Sequence, residues 1–292
     1  MSAALAAFEL GSDDSRYPVA LRYLAEPPET LYCLGDLGLL RPGLAVIGAR
    51  KATPYGLNCT RRFAGWAARA DVVIVSGAAT GCDQAAHRAA IEAGGRTVAV
   101  LGSGADVDYP ASARTMLALM RRQHLVVSEL PWGELATRWA FPRRNRIIAA
   151  LSAAVLVVEA GLPSGTFSTA DAALSLGKAV LAVPGSINSP ESRGSNRLIR
   201  QGAACITDIS DFALDLTAAG LALQQPDPFV PPGPGQSGPI EAMLAADPMR
   251  ADDIARAIDL DIVTTIRRLG ALELEGRVVR YRDGRYGVPV TT

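Results

Sequence analysis

Net charge is the first thing this 292-residue chain lacks: 29 Lys and Arg are balanced by 29 Asp and Glu. A basic total is the usual footprint of a nucleic-acid binder, so any such activity must come from charge gathered locally. Lysine is almost missing, occurring only at Lys51 and Lys178 among many arginines. Cysteine is sparse and scattered, at Cys33, Cys59, Cys82 and Cys205, and histidine occurs only at His87 and His124. No CxxC pair exists and no zinc pattern can be assembled. The expectation is free, buried thiols in a reducing compartment. No stretch approaches the roughly 20 apolar residues of a membrane span, and Met1 to Asp14 lacks the basic-then-apolar order of a secretory signal. A cytoplasmic protein with no membrane partner is expected.

The motifs of nucleotide and acyl chemistry are missing too. The stretch from Gly48 to Gly56 does not match GxGxxG, and Gly102-Ser103-Gly104 has no third glycine. Gly177-Lys178 lacks both the upstream glycine and the following Ser or Thr of a phosphate loop. No GxSxG elbow occurs. Asp83 and His87 lie one helical turn apart, the spacing of a base and its orienter, but no nucleophile accompanies them. Glu159 at a strand end has no second carboxylate clearly placed for glycosidic cleavage. The expectation is therefore no catalytic residue, no cofactor and no metal.

What is present is regular. With 49% of residues apolar, a large domain and a small one can both be filled. Short apolar runs recur at residues 44–48, 72–76, 97–101, 125–128, 154–158 and 179–183, with a weaker one at 204–207. They are continuous rather than alternating, as strands covered on both faces must be. Helical patterns lie between them, at 54–70, 83–94, 111–122, 142–152, 168–177 and 195–202. This alternation predicts an α/β fold: a doubly wound, mostly parallel sheet whose ligands sit at the carboxyl ends of the strands. Residues 1–40 read as a lead-in packed on this domain, and 41–222 as the domain itself. Glycine-rich loops follow the strands at Gly48-Ala49-Arg50-Lys51, Ser76-Gly77, Gly102-Ser103-Gly104, Ser164-Gly165 and Pro184-Gly185. Such loops let a backbone approach a ligand closely and form concavities for anions.

One stretch concentrates charge. Phe141-Pro142-Arg143-Arg144-Asn145-Arg146 places three arginines in four residues at the expected start of a helix, with Pro142 marking its first turn. No acid occurs between Glu134 and Glu159, although a helix N-terminus favours acids. Arginines beside free backbone N–H groups suit phosphate. The neighbouring Arg138, Trp139 and Phe141 add a cation and flat apolar faces that suit bases. Arg50, directly after the first strand of the repeat, points into the same crevice as a second clamp.

Residues 223–238 are proline-rich and read as a semi-rigid linker. In 239–292, three helical patterns precede a hairpin turning at Asp283-Gly284, the arrangement of a winged helix. From residue 237 onward eight arginines face nine acids, and two of the helices start on aspartates. That is poor chemistry for a major groove, so a protein-contact role is expected.

These strings, in order, resemble the DNA-processing protein A family (DprA, also called Smf). The resemblance rests on Val46-Ile47-Gly48-Ala49-Arg50, Ser76 to Asp83, Asp108-Tyr109-Pro110, Phe141 to Ala149, Val158-Glu159-Ala160, Ser164-Gly165-Thr166 and Val183-Pro184-Gly185. It runs from about Tyr17 to Asp211, and the tail resembles the winged-helix domain of many members. Against that resemblance, the sterile-alpha-motif-like domain many members carry at the N-terminus is expected to be absent or vestigial. Ala49, Ala78 and Cys82 depart from the usual residues. The resemblance implies an extended Rossmann-like domain that binds single-stranded DNA without sequence preference. It also implies a homodimer, delivery of the strand to a RecA-type recombinase in natural transformation, contact with single-strand-binding protein, and no enzymatic activity. The DNA-contacting candidates are Gly48, Arg50, Lys51, Gly77, Gly104, Phe141, Arg143, Arg144, Asn145 and Arg146. The alternative is a nucleotide-binding or nucleotide-hydrolysing enzyme of phosphoribohydrolase type, or a small-nucleotide sensor. The hydrolase would need a Pro-Gly-Gly-x-Gly-Thr string where this chain has only Pro163-Ser164-Gly165-Thr166.

Overall fold

The computed structural model describes residues 6–224, 238–281 and 283–289. The chain divides into two units, Met1–Gln225 and Pro226–Thr292, each taken here by itself.

In the first unit the apolar runs become strands: β1 (Ala7–Gly11), β2 (Thr30–Gly35), β3 (Gly43–Ile47), β4 (Ile74–Ser76), β5 (Thr97–Val100), β6 (Leu125–Ser128), β7 (Ser152–Val157), β8 (Ala179–Ala182) and β9 (Ala204–Cys205). The helices are α1 (Pro54–Arg69), α2 (Cys82–Glu92), α3 (Arg114–Gln123), α4 (Ala140–Ala150), α5 (Thr166–Ser175), α6 (Arg193–Arg200) and α7 (Ile209–Ala218). All nine strands form one sheet in the order β1-β2-β6-β5-β4-β3-β7-β8-β9. From β6 to β9 the neighbours are parallel, while β1 and β2 are antiparallel additions at one edge. The doubly wound, mostly parallel α/β sheet is thus observed.

Successive residues of a strand point to opposite faces, and each face has its own cover. Leu44, Val46, Ile74 and Leu156 pack with Phe63 and Trp66 of α1, Ala86 of α2 and Phe212 of α7. Ala45, Ile47, Val75, Val155 and Val157 pack with Ile147 and Ile148 of α4 and Ala170 and Ala173 of α5. Met116, Leu117 and Met120 of α3 close a third group over Ala99, Leu101 and Val126. Of the lead-in, residues 6–40 do more than pack against this body, because β1 and β2 are hydrogen-bonded strands of its sheet. Tyr17, Leu21 and Leu24 fill the core beneath α4.

Helix starts follow local chemistry. Thr53 caps α1 by accepting a hydrogen bond from the Gly56 N–H, with Pro54 first in the helix. Asp208 caps α7 by accepting from the Asp211 N–H. The α4 helix begins earlier than the sequence suggests, at Ala140, so Pro142 is its third residue. No side chain caps this end and no acid lies in its first turn. Its other end is held by Lys178, whose Nζ donates to the carbonyls of Ala149, Ala150 and Ser152 at 2.9, 2.6 and 2.5 Å. A compact ammonium with three donors converges on three carbonyls where a planar guanidinium does not.

The second unit holds α8 (Pro239–Ala246), α9 (Ala251–Ala257), α10 (Ile262–Leu274) and the antiparallel pair β10 (Val279–Arg280) and β11 (Tyr286–Gly287). Ile240, Leu244, Ile254, Leu269, Val278 and Tyr286 form its core. The proline-rich stretch lies almost wholly outside the described residues. Among the described residues no helix is long and apolar enough to cross a membrane. Cys33 and Cys82 are buried as expected, but Cys205 on the short strand β9 is exposed.

Candidate nucleic-acid interface

The chain builds β3 through β6 to one side and β7 through β9 to the other, so the sheet reverses direction of growth between β3 and β7. An open sheet of this kind binds ligands at the carboxyl ends of the strands at that point. Here the chain's own carboxylates occupy it. Glu159, two residues past β7, is 2% exposed. Its Oε2 accepts from the Thr53 N–H at 2.8 Å and its Oε1 from the Thr53 hydroxyl at 2.6 Å. The start of α1 thus already faces an anion. In the loop after β4, Asp83 Oδ2 accepts from the N–H groups of Gly77 and Ala79 at 3.2 and 3.3 Å. Burial pushes the Asp83 carboxyl above its ordinary range, opposed by the nearby charge of Arg144 and by these N–H groups.

The arginine-rich helix start splits into an inner and an outer set. Arg144 faces inward. It is buried, and its Nη1 donates to the carbonyls of Gly77 and Val100. Burial pulls its pKa down to about 10 against the attraction of Asp83. Arg146 is bidentate to Glu129, at 2.9 and 2.8 Å, and its Nε donates to the Glu26 carbonyl. Asn145 donates to the Ser168 hydroxyl at 2.8 Å and accepts from Arg144 Nε, tying α4 to α5. None of these three presents an unpaired charge to the surface, so the expected contacts Arg144 and Arg146 are both engaged within the protein. The cause is pairing with groups far apart in sequence.

The three expected glycines are also explained from within. A Cβ on Gly77 would collide with the Arg144 guanidinium, on Gly48 with Cys82 and the Glu159 carbonyl, and on Gly104 with the Pro131 carbonyl. Close approach is required at each, but to the protein's own atoms. His87 does not meet Asp83. Its Nδ1 lies 2.6 Å from the Thr97 hydroxyl, which itself donates to the Ile74 carbonyl. Nδ1 is therefore the protonated nitrogen, and Nε2 is buried without a partner among the described residues.

What remains outside is compact. Arg50 and Lys51 are exposed at the end of β3, and Arg138 and Arg143 at the start of α4. The Arg50 guanidinium sits 5.3 Å over the Phe141 ring. Tyr109, from the loop after β5, stacks on Phe141 with centroids 5.7 Å apart and planes at 30°. No acid pairs with Arg50 among the described residues. Arg143 leans over Trp139 at 5.8 Å. Of the expected residues, the structure thus brings Arg50, Lys51, Phe141 and Arg143 to one rim. Trp139, read from the sequence as a flat face suited to bases, joins them, and so does Tyr109, which was not among the expected contacts. Both signals lay in the sequence, Trp139 beside the arginines and Tyr109 in Asp108-Tyr109-Pro110. Among the described residues no cluster of His, Cys, Asp and Glu could hold a metal ion.

Comparison with known proteins gives a consistent picture. The family described as DNA recombination-mediator protein A matches residues 9–217, and the DprA winged helix domain matches residues 224–284. The DNA processing protein DprA of Streptococcus pneumoniae is 40% identical over 199 residues, covering 68% of this chain and 70% of that protein. An X-ray structure of DprA from the same species superimposes with a TM-score of 0.69 at 38% identity, covering 71% of this chain and 74% of that one. DNA processing protein A from Helicobacter pylori, described for its unique single-stranded DNA binding mode, gives 0.67 at 32% identity, covering 75% and 99%.

Proposed function

The chain belongs to the DNA recombination-mediator protein A family, and from that premise we propose that it binds single-stranded DNA without sequence preference and processes it during transformation. The strand lies along the rim of Arg50, Lys51, Phe141 and Tyr109 and runs on toward Arg143. It is then delivered to a RecA-type recombinase past single-strand-binding protein, by a homodimer. The second unit, with its acidic helix starts, serves protein contact rather than duplex binding.

The observation that carries this reading is the Arg50–Phe141–Tyr109 stack. A guanidinium above an aromatic face offers a phosphate partner and a base platform together, and neither discriminates among bases. The filled crevice supports the same reading against a nucleotide enzyme. A free phosphate at the start of α1 would meet the Glu159 carboxylate, and one in the Gly77 loop would meet Asp83. No bond chemistry is assigned to the site.

Fluorescence anisotropy with oligo-dT and with duplex of equal length tests this. Parent protein is expected to prefer oligo-dT strongly. Arg50→Ala/Phe141→Ala should bind it at least about tenfold more weakly with an unchanged melting temperature. Equal affinity in the folded double variant would overturn the proposal.

A further inference from the structure

We propose that Trp139 and Arg143 form a second base-stacking platform, on the opposite flank of the α4 start from the Arg50–Phe141–Tyr109 stack. The inference rests on the single-strand reading above and extends it.

Trp139 is 54% exposed and Arg143 lies one turn further on, leaning over its ring. Residues four apart share a helix face, whereas residues two apart are turned by about 200°. Trp139 and Phe141 therefore point to different sides of the same turn. Each carries its own guanidinium: Arg50 over Phe141, Arg143 over Trp139. Arg143 is held from below, its Nε 3.0 Å from a Glu129 carboxylate that is itself almost wholly buried and already bound to Arg146. Its Nη groups have no other partner among the described residues. A fixed guanidinium beside an open indole attracts a group with both a flat π face and a negative charge. A nucleotide supplies both, and an apolar peptide supplies only the first. A strand reaching both platforms crosses the end of the helix, roughly 10–12 Å wide, so the second platform engages a nucleotide beyond those on the first.

The full chain provides an internal reporter. Trp66 is buried, and Trp132 packs edge-on against Tyr32 with its Nε1 donating to Glu9. Of the three tryptophans, Trp139 alone is exposed. Oligo-dT of graded length is titrated against parent, Trp139→Phe, Trp139→Ala and Arg50→Ala/Phe141→Ala proteins. Long oligonucleotides are expected to quench parent fluorescence. Trp139→Phe should lose the quench and keep its affinity. Trp139→Ala should bind long oligonucleotides about tenfold more weakly and the shortest bound ones as well as parent. Unchanged binding by Trp139→Ala at every length overturns the second platform and leaves the first standing. An equal loss at every length also overturns it, because that marks a damaged helix start. Unchanged binding by the Arg50→Ala/Phe141→Ala protein overturns the underlying reading and this inference with it.

Discussion

Arg144 lies at the centre of the charged stretch and does not touch the surface. Its guanidinium faces the buried Asp83 carboxylate and donates to the carbonyls of Gly77 and Val100. Arg144→Met would leave those carbonyls unpaired and Asp83 buried without its cation. Losses of this kind cost about 2–4 kcal/mol. The expected result is a clear drop in the urea midpoint, so weak DNA binding by this variant reports folding rather than a lost contact. An unchanged midpoint would show that Arg144 is not the clamp described. At this scale the sequence was half legible. Arginine and aromatic residues at a helix start pointed to the rim where Arg50, Phe141 and Arg143 are found. Which arginines turn inward is set by Glu129, 17 positions from Arg146, and by the Gly77 and Val100 carbonyls, 67 and 44 positions from Arg144, and no spacing rule reaches that far.

The packing of α2 on β4 and β5 carries a pH dependence. His87 sits on the buried face of α2 and donates to Thr97 of β5. Burial, with smaller pushes from His124 and Arg144, lowers its pKa from 6.5 to about 3. Between those values the folded chain binds fewer protons than the unfolded one, so this contribution is whole above pH 6.5 and declines as pH falls toward 3. Between pH 7 and pH 5 the loss from His87 is about 2 kcal/mol. His124 is shifted the same way and adds to the slope. Urea denaturation at pH 7, 6 and 5 should show stability falling, and His87→Gln should flatten the fall whatever it does at pH 7. A slope unchanged by the substitution would place the histidine effect elsewhere. Elements covered on both faces were readable because they are continuous apolar runs. The strands β1 and β2 were not: β1 is an edge strand with only Leu10 buried, so it has no run to see. The α7 helix is legible from its periodicity, with Ile209, Phe212, Ala213 and Leu216 at helical spacing behind the Asp208 cap.

For the molecule as a whole, a net charge of zero makes the strength of strand binding a question of how many cations are left unpaired. Arg146 is paired with Glu129, and Arg144 is buried, donating to the Gly77 and Val100 carbonyls with the charge of Asp83 nearby. Around the rim the exposed cations are Arg50, Lys51 and Arg138, together with Arg143, whose Nε shares Glu129 with Arg146 while its Nη groups face outward. Each phosphate neutralised on a single strand contributes about −0.7 to the slope of log affinity against log salt. Four contacts give about −2.8, and engagement of Arg144 and Arg146 as well would give about −4.2. A short oligo-dT that spans one protomer, titrated from 50 to 300 mM salt, separates the two. The expected slope is near the smaller value, and Arg50→Ala should reduce it by about one contact while Glu159→Gln leaves it unchanged. A slope at the larger value would mean that the inner arginines leave their carboxylates when the strand arrives. The Rossmann-like body would then be a device that opens on binding rather than a rigid rim.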